Sequence, residues 1–149
     1  MSAKYKRILL KLSGEALMGN GSELYNQETI DNIITQIKQI HSLGVEIAIT
    51  IGGGNIFRGI NAKTFNLERT NADYMGMLAT IINGVALKDF LAYSGLTAKI
   101  YSALAVGSIV NGYNREKVLS NLAKKNIVIF VQDRLCLIVP HKIHLLPQF

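Results

Sequence analysis

Two patterns of apolar residues alternate along the chain. Short apolar stretches at residues 5–12 (Ile8, Leu9, Leu10, Leu12), 45–51, 98–102 and 127–131 read as strands. Between them, apolar positions recur at the helical period. Residues 27–43 place Ile30, Ile33, Ile34, Ile37 and Ile40 on one face, with Gly44 as the C-cap. A second helix is predicted from near Asn71 or Asp73 to about Tyr93, with Met77, Leu78, Ile81, Ile82, Val85 and Leu91 as its apolar positions, and Gly95 ends it. Gly84 in its middle costs helix stability, which points to close packing against a neighbour. A third helix over 114–125 turns Val118, Leu119 and Leu122 inward. Residues 19–25 and 61–69 are polar and read as loops, and 105–110 is apolar with no clear period. Strands alternating with helices predict an α/β fold, a mainly parallel sheet covered on both faces.

Composition narrows the possibilities. At 149 residues, 49% apolar and 17% charged, the chain has enough core for one domain and is not a disordered segment. No run of apolar residues reaches the length of a membrane span. The basic N-terminus is followed only by Ile8-Leu9-Leu10 before Lys11, too short for a signal peptide, so a cytoplasmic location is expected. The one cysteine, Cys136, excludes an internal disulfide. Net charge is +6, but the basic residues are scattered and not interleaved with aromatics. Small phosphorylated ligands suit that charge equally well, and the scattered basic residues make nucleic acid the less favoured reading.

The candidate chemistry lies at strand ends. Gly52-Gly53-Gly54-Asn55-Ile56-Phe57-Arg58-Gly59 follows the second strand. Consecutive glycines let a backbone approach a ligand closely, and bare N–H groups there form an anion-binding concavity. Arg58 can add a guanidinium to the same anion. The spacing matches neither the dinucleotide fingerprint nor a P-loop. Ser13-Gly14 ends the first strand, and ligands of parallel sheets sit outside such carboxyl ends, so two glycine loops are expected to face one crevice. Lys11, in an apolar strand two residues earlier, either supplies a point charge to a transferring phosphate or snorkels to water from an edge strand; with the glycine loops beside it the phosphate reading is favoured. Asp73 is either the N-cap of the second helix or an acceptor for a ribose, and on the residues alone the cap is the favoured reading. His41 reads as a surface residue of the first helix.

Three ordered stretches resemble one family. Tyr5-Lys6-Arg7-Ile8-Leu9-Leu10-Lys11-Leu12-Ser13-Gly14-Glu15-Ala16-Leu17, residues 51–59, and Ala72-Asp73-Tyr74-Met75-Gly76-Met77-Leu78-Ala79-Thr80 look like the successive signatures of bacterial uridylate kinases, within the amino-acid-kinase fold. The likeness covers about residues 5–131. It implies a three-layer αβα sandwich and transfer of the γ-phosphoryl of ATP to UMP, with Mg²⁺ accompanying ATP. By position it implies ATP contacts at Lys11, Leu12, Ser13, Gly14, Gly54 and Arg58, with Lys11 and Arg58 catalytic, and UMP contacts at Gly53 and Asp73. No residue is assigned as a metal ligand. The family is cytoplasmic and homohexameric, often activated by GTP and inhibited by UTP. Its GTP-responsive loop is usually glycine-rich with an aromatic; Gly19-Asn20-Gly21-Ser22-Glu23-Leu24 departs from that.

Beyond Val131 the resemblance stops. The family continues with a Gly-Thr-Gly-Asn-Pro segment and a Thr-Thr-Asp stretch, then builds the rest of its ATP site. Here residues 132–149 hold both prolines, the cysteine and two of the three histidines. Such a change of composition at one point suggests a shifted reading frame, hence the expectation of a truncated uridylate kinase product, weak or inactive as a kinase, or a non-catalytic nucleotide-binding or oligomer-forming fragment. His141 and His144 have metal-like spacing without further ligands. Leu135-Cys136-Leu137-Ile138-Val139 is apolar and β-prone, an aggregation hazard if exposed.

Overall fold

A computed structural model describes residues 3–131 and 142–144. Six strands form one sheet in the order β4-β3-β5-β2-β1-β6: β1 (Arg7–Leu12), β2 (Glu46–Ile51), β3 (Ala98–Ser102), β4 (Asn111–Gly112), β5 (Ile127–Val131) and β6 (Lys142–His144). Every neighbouring pair is parallel. The helices are α1 (Gln27–Ser42), α2 (Ile60–Thr64), α3 (Arg69–Tyr93) and α4 (Arg115–Ala123), with a 3-10 turn at Gly14–Leu17.

Side-chain alternation along the strands divides the core into two layers. Ile8, Leu10 and Leu12 of β1, Ile47, Ile49 and Ile51 of β2, and Ile127, Ile129 and Val131 of β5 pack with α1 and α3. Leu9, Ala48, Val128 and Phe130 point the other way, against Val118 and Leu122 of α4. The result is the three-layer αβα arrangement that the resemblance implied. Helix α1 buries Ile30, Ile33, Ile34 and Ile37, each contributing roughly 1.5–3 kcal/mol. Asn26 caps it by accepting from the Thr29 N–H at 3.0 Å, and Gly44 leaves it at φ +76°.

Helix α3 begins at Arg69, earlier than the apolar pattern suggests, and Glu68 at its N-cap makes no side-chain capping bond. Asp73 therefore lies inside the helix and is not its cap. The boundary was hidden because its first turn carries neither a capping side chain nor an apolar face. By length and mean hydropathy (1.3) α3 is long and apolar enough to cross a membrane, which a search for unbroken apolar runs misses. Here Ile81, Gly84, Leu87 and Leu91 are buried, and Gly84 lies against β3 and β5. A Cβ at Gly84 would collide with Val131 Cγ1, the close packing that its mid-helix position foretold.

Three further features differ from the sequence reading. The loop expected over residues 61–69 contains α2, whose five residues are too few for a period to show. In the stretch without clear period, Val106 and Val110 form an isolated antiparallel bridge just before β4. And β1 is not an edge strand: β6 pairs with it at Leu9, Leu10 and Lys11, so the edge-strand explanation of Lys11 fails. His41 is half-buried, its Nε2–H donating to the Lys125 carbonyl oxygen at 2.8 Å. The backbone of His144 belongs to β6; Cys136, His141 and the apolar run 135–139 lie outside the described residues.

Gly84 and Gly76 on the same helix predict opposite outcomes. Gly84→Ala should destabilise the chain by about 1–3 kcal/mol, because overpacking outweighs the helix-propensity gain. At Gly76 an added Cβ meets nothing within 4 Å, and Gly76→Ala should stabilise by up to about 1 kcal/mol. Urea unfolding of the two variants checks both signs.

Candidate functional site

The site begins with a register. β1 and β2 run side by side with Leu12 opposite Ile51, so the segments that follow them leave the sheet together. The Gly52 N–H donates to the Leu12 carbonyl oxygen at 2.9 Å, carrying the pairing one residue further. Past that point the two backbones touch. A Cβ on Gly14 would lie 2.6 Å from the Gly54 nitrogen and 2.5 Å from Asn55 Oδ1, and one on Gly52 would lie 3.2 Å from the Gly14 nitrogen. The two glycine loops thus pack on each other and do not flank an open gap.

Gly53 packs on α3. A Cβ there would meet Ala79 Cβ at 2.6 Å and the helix backbone at 3.0 Å. The loop closes on itself through Gly53, whose carbonyl accepts from the Ile56 and Phe57 N–H groups at 3.0 and 2.9 Å. Among the described residues, the N–H groups of Gly53 and Gly54 donate to no acceptor. Two adjacent bare donors in a turn have the form that anion-binding concavities take.

The charges are arranged around that turn. Arg58 reaches back over it, its Nε–H donating to the Gly54 carbonyl at 3.1 Å and its Nη2 lying 3.1 Å from Glu15 Oε1. Glu15 stands so close to Gly54 that a Cβ there would strike its carboxylate. Both partners are about half exposed, so the ion pair itself adds little stability. Its effect is positional: it holds the guanidinium beside the bare donors. Lys11 is half-buried on β1, and alternation puts it on the α4 side of the sheet with Thr50, its register partner. Ser13 begins the 3-10 turn, its Oγ accepting from the Ala16 N–H at 3.2 Å. A cavity of about 930 Å³ adjoins Ser13 and Glu15, bounded by Gly19, Asn20 and Gly21 and by the polar side of α1.

The structure therefore brings together Ser13, Gly14, Gly53, Gly54 and Arg58, with Leu12 and Lys11 leading into the same strand end. Asp73 stands exposed on α3, six residues before Ala79, or about 9 Å along the axis. It lies on the same helix as Ala79 but is not part of the loop contact.

Sequence reasoning missed four residues that shape this region. Asn83 is completely buried on α3. Its Nδ2 donates to the Gly52 carbonyl at 2.7 Å and to Asn55 Oδ1 at 2.6 Å. Tyr25 donates to Asn83 Oδ1 at 3.0 Å, and burial pushes its phenol above the ordinary tyrosine range, keeping it a donor. Asn55 also donates to the Leu24 carbonyl at 3.0 Å, and Glu15 anchors Arg58. A signal existed for Asn83: a carboxamide within the apolar run Ile81-Ile82-Asn83-Gly84-Val85 is costly unless it is paired.

The sequence profile of the amino acid kinase family matches residues 6–140. The chain belongs to the amino acid kinase family. Among solved structures, it is similar to the UMP kinase of Bacillus anthracis, with 35% identity and a TM-score of 0.82 over 87% of this chain and 53% of that one. It is also similar to the UMP kinase of Ureaplasma parvum, with 34% identity and a TM-score of 0.78 over 86% of this chain and 54% of that one. The chain spans about half the length of these relatives. The family and these neighbours support a phosphotransferase scaffold.

The crowding around the loop ranks two substitutions. Gly53→Ala pushes a methyl into α3 backbone and should cost about 1–3 kcal/mol. Gly54→Ala meets only the carboxylate end of Glu15, which can swing away, and should cost less than about 1 kcal/mol. Equal losses in denaturant unfolding would show that the loop does not rest on α3 as described.

Proposed function

We propose that this chain carries one half of an ATP-dependent uridylate kinase, whose reaction moves the γ-phosphoryl of ATP to UMP. The observation that supports it best is the pair of bare N–H groups at Gly53 and Gly54, held against Ser13-Gly14 with Arg58 alongside. The identity to two UMP kinases makes uridylate the favoured acceptor. In that reaction a phosphate oxygen of UMP attacks the γ-phosphorus, the bond to the β–γ bridging oxygen breaks, and ADP departs. Such a transfer depends on positioning and charge neutralisation more than on a protein nucleophile.

Each residue then has a role. Lys11 and Arg58 offset charge on the transferring phosphoryl group, while Leu12, Ser13, Gly14 and Gly54 present backbone to ATP. Gly53 and Asp73 serve UMP, Asp73 from the N-terminal part of α3. Arg58 starts from its pairing with Glu15, so nucleotide binding exchanges one anionic partner for another. Mg²⁺ fits this site only as a companion of ATP. Glu15 is the carboxylate at the loop, and the described residues contain no group of three His, Cys, Asp or Glu side chains able to hold a metal ion. Mg²⁺ commonly takes phosphate oxygens and water with one or two carboxylates; bound that way it would neutralise the β- and γ-phosphates, with Glu15 the side chain able to meet it.

Because the chain spans about half of its relatives, binding is expected to outlast catalysis. Calorimetric titration should detect UMP or ATP, while a coupled ADP-release assay should find turnover far below the roughly 1–100 s⁻¹ of ordinary kinases. Turnover in that range would overturn the expectation of weak activity, and binding of neither nucleotide would overturn the nucleotide reading.

A second reading concerns assembly in the cytoplasm. Tyr74, Met75, Leu78 and Ile82 line one side of α3 and are 40–54% exposed, a clustered apolar surface that a solitary soluble domain seldom shows. We propose that it pairs with a second copy, in keeping with the oligomer that the family resemblance implies. Light scattering should give a mass above that of one chain, falling to a monomer in the Leu78→Glu, Ile82→Glu double variant; a monomeric parent chain would refute this.

A further inference from the structure

Asn83 uses every hydrogen-bonding position of its carboxamide. Both Nδ2 hydrogens are donated, to the Gly52 carbonyl (2.7 Å) and to Asn55 Oδ1 (2.6 Å). Oδ1 accepts from Tyr25 Oη (3.0 Å) and from Asn55 Nδ2 (3.3 Å). Asn55 Nδ2 also reaches the Leu24 carbonyl. One buried side chain thus joins α3, the glycine loop and the segment that leads into α1. A carboxamide with no exposed surface is tolerated there because nothing on it is left unmatched.

The bond to the Gly52 carbonyl has a geometric consequence. That oxygen and the Gly53 N–H belong to one planar trans peptide and point in opposite directions. Pinning the oxygen to Asn83 therefore fixes the Gly53 N–H, directing it away from the carboxamide. This is one of the two bare donors of the loop. Tyr25 sets the carboxamide in turn: its ring is held edge-on by Phe90, with centroids 5.6 Å apart and planes at 81°. Its neighbour Asn26 is tied to Leu17 by a 2.7 Å backbone bond and caps α1.

We propose that Asn83 is the positioning residue of the phosphate loop, and that through Tyr25 it couples the loop's shape to the segment 17–26 across the site. The proposal rests on the phosphate-loop reading given above, and Asn83 itself touches no substrate. It makes the donor direction at Gly53 depend on where Tyr25 stands. A rearrangement of residues 19–25 is thereby transmitted to the nucleotide's phosphates without contact between them.

Amide hydrogen exchange on the full chain tests this directly. The Gly52, Ile56 and Phe57 amides report the loop, since all three are hydrogen-bonded within it or to Leu12. Amides of β3 and β5 report the core. Tyr25→Phe keeps the ring packing and removes only the hydroxyl. It should speed exchange at the three loop amides by about tenfold, the equivalent of one hydrogen bond, and at the core amides by less than about twofold. Asn83→Asp keeps the shape, removes both donors and should act in the same direction more strongly; if it unfolds the chain, Tyr25→Phe alone decides. Unchanged loop exchange, or equal acceleration of loop and core, overturns the proposal. Titration with UMP and with ATP supplies the second arm: Tyr25→Phe should weaken binding by about three- to tenfold. Equal affinity of variant and parent refutes the coupling to the phosphates. If the parent chain binds neither nucleotide while the exchange pattern holds, the nucleotide reading fails and the positioning role stands.

Discussion

Backbone lies against backbone where β1 and β2 leave the sheet, and everything else in the site follows from that approach. Leu12 and Ile51 are register partners, so two chain segments emerge about one strand spacing apart. Side chains there would force them to separate; Gly14, Gly52 and Gly54 let them meet, while Gly53 lets the loop rest on α3. The contact turns peptide groups, and not side chains, toward any ligand. Recognition then rests on N–H direction, which sequence sets only indirectly, through whatever holds the carbonyls on the other side. Asn83 is that holder for Gly52.

Charge is arranged over this frame more loosely. Arg58 and Glu15 are half exposed and joined by one contact, a pairing that can be exchanged at small cost. Fixed donors beneath and a cation whose carboxylate partner can be exchanged would suit the proposed transfer, in which charge moves during reaction. The buried carboxamide of Asn83 supplies the rigid part, and burial keeps Tyr25 protonated and donating to it.

Much of this was legible in the sequence, for definite reasons. The four main strands and the three long helices announced themselves because burial imposes a period on apolar residues. Gly84 announced close packing because glycine is costly in mid-helix. The two glycine loops were placed together by the rule for carboxyl ends of parallel strands. What escaped depended on partners far apart in the chain: Asn83 with Tyr25 and Asn55, and Glu15 with Arg58. The start of α3 escaped because no side chain caps it, and α2 because a single short turn has no period. β6 escaped because three residues at the far end of the sequence carry too little pattern to reveal their partner.

That last strand bears on how the fold is reached. β6 joins β1 at Leu9, Leu10 and Lys11, a pairing of residues more than 130 positions apart in the chain. Contacts of such long separation form late and slow the search for the native state. Meanwhile β1 offers a row of apolar residues and open peptide groups on one side, the kind of edge to which foreign strands add. Covering that side of β1 with β6 therefore closes an edge as well as extending the sheet.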